Sequence, residues 1–316
     1  MRRWRFCVAA VFGLLVPYLT ALAFSGGEGT QVLASTKANG SGEILVTRED
    51  TSYCVSVDEY LPGVLARQIP ADYEPQTLRA QAIVARTYIY QQIEAMQLSG
   101  QLSDGKIPEE ALDLDYLEED QLKKLWGNQG FPTLYEKLET AVRSTSRMTL
   151  TFEGAYIDAL FCRATAGKSR DGGADLPYLR SVECPDDAAA EAFSTSSSWK
   201  EDEFYQAIAA IDGERTVAPN GICDSVQIIS RDLAGYVERV QIGGVEFTGE
   251  EVQNALGLSS SNYALERTAD GMQARAKGSG HGYGLSQWQA NAMAKEGKTA
   301  EEILDYFYTN VELVTE

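Results

Sequence analysis

Between Pro75 and Leu98, in EPQTLRAQAIVARTYIYQQIEAMQL, the residues Leu78, Ala82, Ala85, Ile89, Ile93 and Met96 recur at spacings of three and four. That period puts them on one side of an α-helix, so the rest of the chain must supply a core for that side to face. Pro75 fits the first helical turn, where a missing N–H costs nothing. Just upstream, VDEYLPGVLARQIP offers Asp58 as an N-cap and Pro70 as a stop, predicting a preceding helix. Before it, EILVTREDTSYCVSV mixes β-branched and polar residues in the manner of strands.

Downstream of the long helix, residues 99–128 are acidic, polar and weakly patterned, and read as a solvated surface excursion with short helices. RMTLTFEGAYIDALFC alternates Met148, Leu150 and Phe152 with threonines and turns at Glu153-Gly154, a hairpin pattern. A second strand-rich part runs from Ser225 to Phe247, followed by a short helix ending near Gly257. LSQWQANAMAKEG predicts a helix closed by Gly297, after which Thr299 and Glu302 form a capping box for the last helix. No internal repeat is visible. The pattern as a whole is α+β, one mixed helix and strand domain over residues 43–316, built either as one body or as two lobes around a cleft.

Residues 1–24, MRRWRFCVAAVFGLLVPYLTALAF, join Arg2, Arg3 and Arg5 to a long uncharged run. The length fits a retained membrane anchor, and Ala21-Leu22-Ala23 fits signal cleavage; both place the body outside the cytoplasmic membrane, anchored or secreted. Residues 25–42 are rich in Gly and Ser and read as a flexible linker. A formal net charge of −19 repels phosphate backbones and anionic lipid, which argues against nucleic-acid partners. Cys7 lies in the apolar segment; Cys54, Cys162, Cys184 and Cys223 lie beyond it, enough for two disulfides in any of three pairings. No spacing of Cys with His or carboxylates suits zinc, so no metal or other cofactor is expected.

The single histidine, His281, sits in GSGHGYGLSQW, between glycines and directly before a predicted helix. Glycines permit positive φ and close backbone approach, and a helix start offers free N–H groups. Two readings follow: a hydrogen-bonded core histidine in a tight turn, or a turn that faces a ligand.

Three segments together resemble the stage II sporulation protein D family. SGHGYGLSQWQANAMAKEGKTAEEILDYFY is similar to its C-terminal signature, and VDEYLPGVLARQIPADYEPQTLRAQAIVARTY to its leading segment. AVRSTSRMTLTFEGAYIDALFCRATAGKS, followed by LPYLRSVECP, matches the part between them. The resemblance spans roughly residues 53 to 313. It implies a peptidoglycan substrate, glycan strands that in sporulation have lost their stem peptides, and lytic transglycosylase chemistry during engulfment. That reaction closes the muramic acid 6-hydroxyl onto C1 and can use a single carboxylic acid, first as proton donor and then as acceptor. Cell-wall amidases and other engulfment proteins are the partners it suggests.

The family's catalytic glutamate stands in an Ala-Ser-Glu-Met-Pro context, and the matching residues here are Ala66, Arg67, Gln68, Ile69 and Pro70. Glutamine keeps the shape but has no proton to exchange. General acid–base catalysis contributes about 10²- to 10⁴-fold, roughly 3 to 5 kcal/mol of barrier, so catalysis by this chain is in doubt. Asp72 and Glu74 are the nearest acids that could substitute, with turn and helix-start roles as the plainer reading. Cys162, with Arg163 and Ala164, replaces the family's His-Ser-Thr, and a pairing of Cys162 with Cys184 is one option. The remaining motif positions, Arg79, Gln81, Arg86, Tyr88, His281, Tyr283, Ser286, Gln287 and Trp288, are intact and form the expected glycan-lining set, against the alternative of a polar network joining two halves of the fold.

Overall fold

The computed structural model describes residues 42–315 apart from 49–50, 103–105, 192 and 212–214. The expected anchor and most of the linker lie outside the described residues. Among the described residues, no helix is long and apolar enough to cross a membrane. The fold is mixed α and β, with strands β1 (Glu43–Arg48) and β2 (Thr51–Ser56), helices α1 (Val57–Gln68) and α2 (Pro75–Leu98), strand β3 (Lys106–Pro108) and helix α3 (Glu119–Ser144), which breaks at Gly127 (φ 70, ψ 161).

Next come β4 (Met148–Phe152), β5 (Ala155–Tyr156) and β6 (Phe161–Cys162), then β7 (Ser194–Lys200), α4 (Glu201–Ala209), β8 (Gln227–Arg231), β9 (Val237–Ile242) and β10 (Val245–Thr248). The chain ends with α5 (Gly249–Leu256), β11 (Tyr263–Arg267), β12 (Gly271–Lys277), β13 (Leu285–Ser286), α6 (Gln287–Lys295), α7 (Ala300–Phe307) and β14 (Glu312–Thr315).

Helix α2 lies where the sequence places it, with Pro75 at its start, but it is buried on two sides instead of one. Leu78, Ala82, Ala85, Ile89 and Ile93 pack with Tyr60, Leu61, Val64 and Leu65 of α1 and with Leu138 and Val142 of α3. Ala80, Ile83 and Val84 face a second core of Leu150, Leu285, Ala290, Ile303, Leu304 and Phe307. Burial of each large side chain contributes about 1.5–3 kcal/mol, and the alanines let the neighbouring helices approach closely. A helix enclosed in this way has no wide polar face, so its period marks only the richer of two apolar sides.

The first turn of α1 also differs from the expected one. Ser56, not Asp58, is the N-cap: its hydroxyl accepts from Glu59 N, and Glu59 accepts from Ser56 N. Asp58 is thereby free to meet Arg86, which is fully buried on α2. The Arg86 Nε and Nη2 donate to Asp58 Oδ1 at 3.0 and 2.8 Å, and its remaining donors reach Thr145 Oγ1 and the carbonyls of Val142 and Met148. One guanidinium thus ties α2 to the start of α1 and the end of α3.

Residues 106–111 are more ordered than a solvated excursion: β3 pairs in parallel with β1, and Ile107 is fully buried. The predicted hairpin is β4 and β5, turning at Glu153 (φ 52) and Gly154 (φ 83). A third core, built around Phe204, Ile208, Val240, Phe247, Val252 and Met272, belongs to residues 194–277. This insertion leaves and re-enters on adjacent strands, with β7 antiparallel to β12 from Ser194↔Lys277 to Lys200↔Gly271.

Cys54, Cys162, Cys184 and Cys223 are all free thiols, so the option of a Cys162–Cys184 bond is not realised. Cys54 is exposed and the other three are buried. Among these four, only Cys54 is expected to react rapidly with a thiol reagent in the folded protein, and all four after denaturation, as counted by mass spectrometry of the labelled chain. Asp58→Ala strands the buried Arg86 charge, and is expected to cost about 3–5 kcal/mol in urea unfolding.

Candidate functional site

The last residue of α1 is Gln68, half-buried where the helix gives way to the extended Ile69. Its Oε1 accepts from Gln81 Nε2 of α2 at 3.0 Å. Its backbone carbonyl accepts from Gln287 Nε2 of α6 at 3.0 Å, and the same nitrogen donates to Gln81 Oε1 at 3.2 Å. Gln81 and Gln287 are buried, so the consecutive helices α1 and α2 meet the distant α6 through three carboxamides. Side chains of this kind hold one another without titrating.

Two surfaces flank this centre. On one side Gln68 lines an open groove of about 770 Å³, whose wall is Glu109, Glu110, Asp113, Asp115, Tyr116 and Glu118 with Arg48 and Arg67. Arg48 bonds to Glu109 and Glu118, and its guanidinium holds the Glu109 carboxyl below the ordinary carboxylate range. On the other side, Tyr73 meets Trp288 edge to face with centroids 6.5 Å apart, and Trp288 N donates to the carbonyl of Arg163 at 3.1 Å. Burial raises the Tyr73 phenol, opposed by Arg163.

Ser286 caps α6, accepting from Gln289 N at 3.4 Å, and its hydroxyl donates to Asp187 Oδ1 at 2.7 Å. Asp187 is fully buried; its other oxygen accepts from both N and Oγ1 of Thr165 at 2.6 Å. Burial pushes this carboxyl above its ordinary value, with the donors pulling the other way. Neither Asp187 nor Arg170 was singled out in the sequence. Arg170 donates to Asp232 and to Glu250 at 2.6 Å each, and its guanidinium lies 5.0 Å from the Tyr236 ring and 4.4 Å from the Tyr283 ring. No spacing could have found it, because its partners lie 62 to 113 residues downstream.

The glycine-flanked turn packs against this frame. Gly284 has φ 67, and a Cβ there would sit 1.9 Å from Leu160 O; Gly282 has φ 82, and a Cβ would meet the Tyr236 ring at 2.3 Å. These two positions therefore admit only glycine without displacing their neighbours. His281 Nδ1 accepts from Tyr283 N at 3.0 Å, and the ring bonds the backbone carbonyl of Phe161 on its other side. His281 thus bonds Tyr283 and Phe161, and Gln81 and Gln287, not His281, bond to residue 68.

The motif residues divide accordingly. Gln68, Gln81 and Gln287 come together, with Ser286 and Trp288 on either side of Gln287 in the chain. Arg86 does not join them: it is fully buried and its donors are spent on structure, which excludes contact with a glycan. Arg79 bonds Gln76 and Glu301 and ties α2 to α7. The Tyr88 hydroxyl donates to Leu112 O and fastens the chain that walls the groove. Tyr283 stacks on His281 and Arg170. Asp72 is exposed, and Glu74 is the N-cap of α2 with its backbone N–H donating to Asn291. Among the described residues no group of three or more His, Cys, Asp or Glu could hold a metal.

A long two-sided helix, a carboxamide centre at the end of its neighbour and a glycine turn over a buried aspartate define a class that comparison with known sequences identifies. The family model described as stage II sporulation protein matches residues 47–152. The stage II sporulation protein D of Bacillus amyloliquefaciens is 30% identical over 82% of this chain and 74% of its own length. That of Bacillus subtilis is 28% identical over 95% of this chain and 92% of its own. An uncharacterized protein of Brachyspira hyodysenteriae is 25% identical over 82% of this chain and 67% of its own. The chain belongs to the stage II sporulation protein D family and is a sporulation protein of that family.

Desolvation holds the His281 ring below its ordinary 6.5, so the unfolded chain takes up this proton first as pH falls. The stability it contributes is complete above about pH 6.5 and is lost progressively below it. Replacing His281 with Gln is expected to flatten the fall in unfolding free energy between about pH 7 and pH 5, followed by urea titration at each pH.

Proposed function

We propose that this protein binds peptidoglycan glycan strands, peptide-stripped ones included, and cuts them poorly or not at all. It would act outside the cytoplasmic membrane during engulfment, anchored or secreted, alongside cell-wall amidases that strip the strands. Family membership and the polar, aromatic-edged surface around Gln68 support the substrate class. The observation that carries the loss of chemistry is Gln68 itself. Among the described residues, the side chain at the position of the family's acid makes its one hydrogen bond to another carboxamide, and neither group exchanges a proton near neutral pH.

The test is mass spectrometry of products after incubating the protein and its Gln68→Glu variant with peptidoglycan and with peptide-stripped strands. The expected result is 1,6-anhydromuramic products from the variant alone, at least about 10²-fold above the natural chain. Equal release by the natural chain would overturn the reading. Loss of that release in Asp72→Ala or Glu74→Ala would then name the acid in use.

A further inference from the structure

The three carboxamides around Gln68 can each be drawn in two orientations, yet one of them is anchored. A backbone carbonyl only accepts, so the nitrogen of Gln287 must be the atom facing Gln68 O at 3.0 Å. That nitrogen also lies 3.2 Å from Gln81, which must therefore answer with its oxygen. Gln81 then turns its nitrogen to Gln68, 3.0 Å away, and Gln68 must answer with its own oxygen. The chain of bonds leaves two of the six carboxamide atoms, Gln68 Nε2 and Gln287 Oε1, without a protein partner among the described residues, and of the two side chains only Gln68 is partly exposed, Gln287 being buried. Gln68 lines the open groove.

The groove restricts what that nitrogen can meet. Arg48 is occupied by Glu109 and Glu118, and Arg67 by Asp115, while Glu110 and Asp113 have no cationic partner among the described residues. A carboxylate-bearing unit is repelled here, whereas hydroxyl groups can donate to these acids. We infer that Gln68 is a fixed hydrogen-bond donor that reads an acceptor oxygen on an uncharged, hydroxyl-bearing sugar unit in this groove. It holds the pose of a protonated acid with no proton to release, so an uncleaved strand is gripped where a relative would begin to cut. The inference rests on the glycan-binding reading above and adds to it the polarity of the contact and the uncharged unit that makes it.

Binding of a short β-linked N-acetylglucosamine oligomer to the full chain, measured by calorimetry at neutral pH, tests this. Gln68→Glu replaces the outward donor with an acceptor and is expected to weaken binding about tenfold or more. Gln81→Glu reaches the same end without touching residue 68: its carboxylate accepts from both Gln287 and Gln68, which turns Gln68 Oε1 outward, and a comparable loss is expected. Urea unfolding of each variant separates this from misfolding, and Gln68→Ala, which removes the donor without adding a charge, is expected to weaken binding likewise if either folds poorly. If the natural chain binds the oligomer and Gln68→Glu binds it equally well, the donor assignment is wrong and the glycan reading stands. If the natural chain binds neither the oligomer nor longer glycan strands, both fall.

Discussion

A helix enclosed on two sides has little room for large residues and no water for polar ones, and the stage II sporulation protein D fold seen here is arranged around that constraint on α2. Alanine at positions 80, 82 and 85 lets α1, α6 and α7 lie close. The fully buried polar side chains of α2 must then find protein partners, whereas the half-buried Arg79 leaves its Nε without one. Arg86 finds Asp58 and the end of α3, Thr87 accepts from Leu150 N at 2.9 Å, and Gln81 finds Gln68 and Gln287. The same necessity that satisfies Gln81 therefore assembles the candidate site.

Much of the architecture was legible because it is encoded locally. The hairpin turn at Glu153-Gly154, the Gly257 and Gly297 helix ends and the Thr299–Glu302 capping box each depend on residues within a few positions of one another. The errors came where a distant partner decided the outcome. Asp58 looks like an N-cap until Arg86, 28 residues on, is seen to claim it, and Ser56 takes the cap instead. Residues 106–111 look solvated until β1 is placed beside them.

The candidate site divides the same way. Family motifs point to positions 68, 81 and 287, and the fold brings these together, with Trp288 set against Tyr73. The motifs could not distinguish residues that line a surface from residues that hold the frame, so Arg86 was grouped with the ligand contacts although it is buried. Asp187 and Arg170 escaped notice for the opposite reason. Arg170 stands in a Gly- and Asp-containing loop and Asp187 before a run of alanines, each as an ordinary charged residue whose significance comes from losing solvent on folding.

The paired strands at the base of the 194–277 insertion carry one more consequence. Because Ser194 and Lys277 lie opposite each other in the ladder, the rest of the protein sees the whole insertion as a hairpin, and adding or removing length beyond that point changes the closure entropy of the main fold only slightly. Several contacts then tie the insertion to the glycine turn and the loop beside it: Arg170 reaches Asp232, Tyr236 and Glu250, Gly280 N donates to Ser259 O at 2.9 Å, and Ala166 N donates to the Tyr236 hydroxyl at 3.0 Å. Evolution could exchange the contents of this module while keeping its two-strand stem, provided each replacement still offered partners to Arg170, Ala166 and the glycine turn.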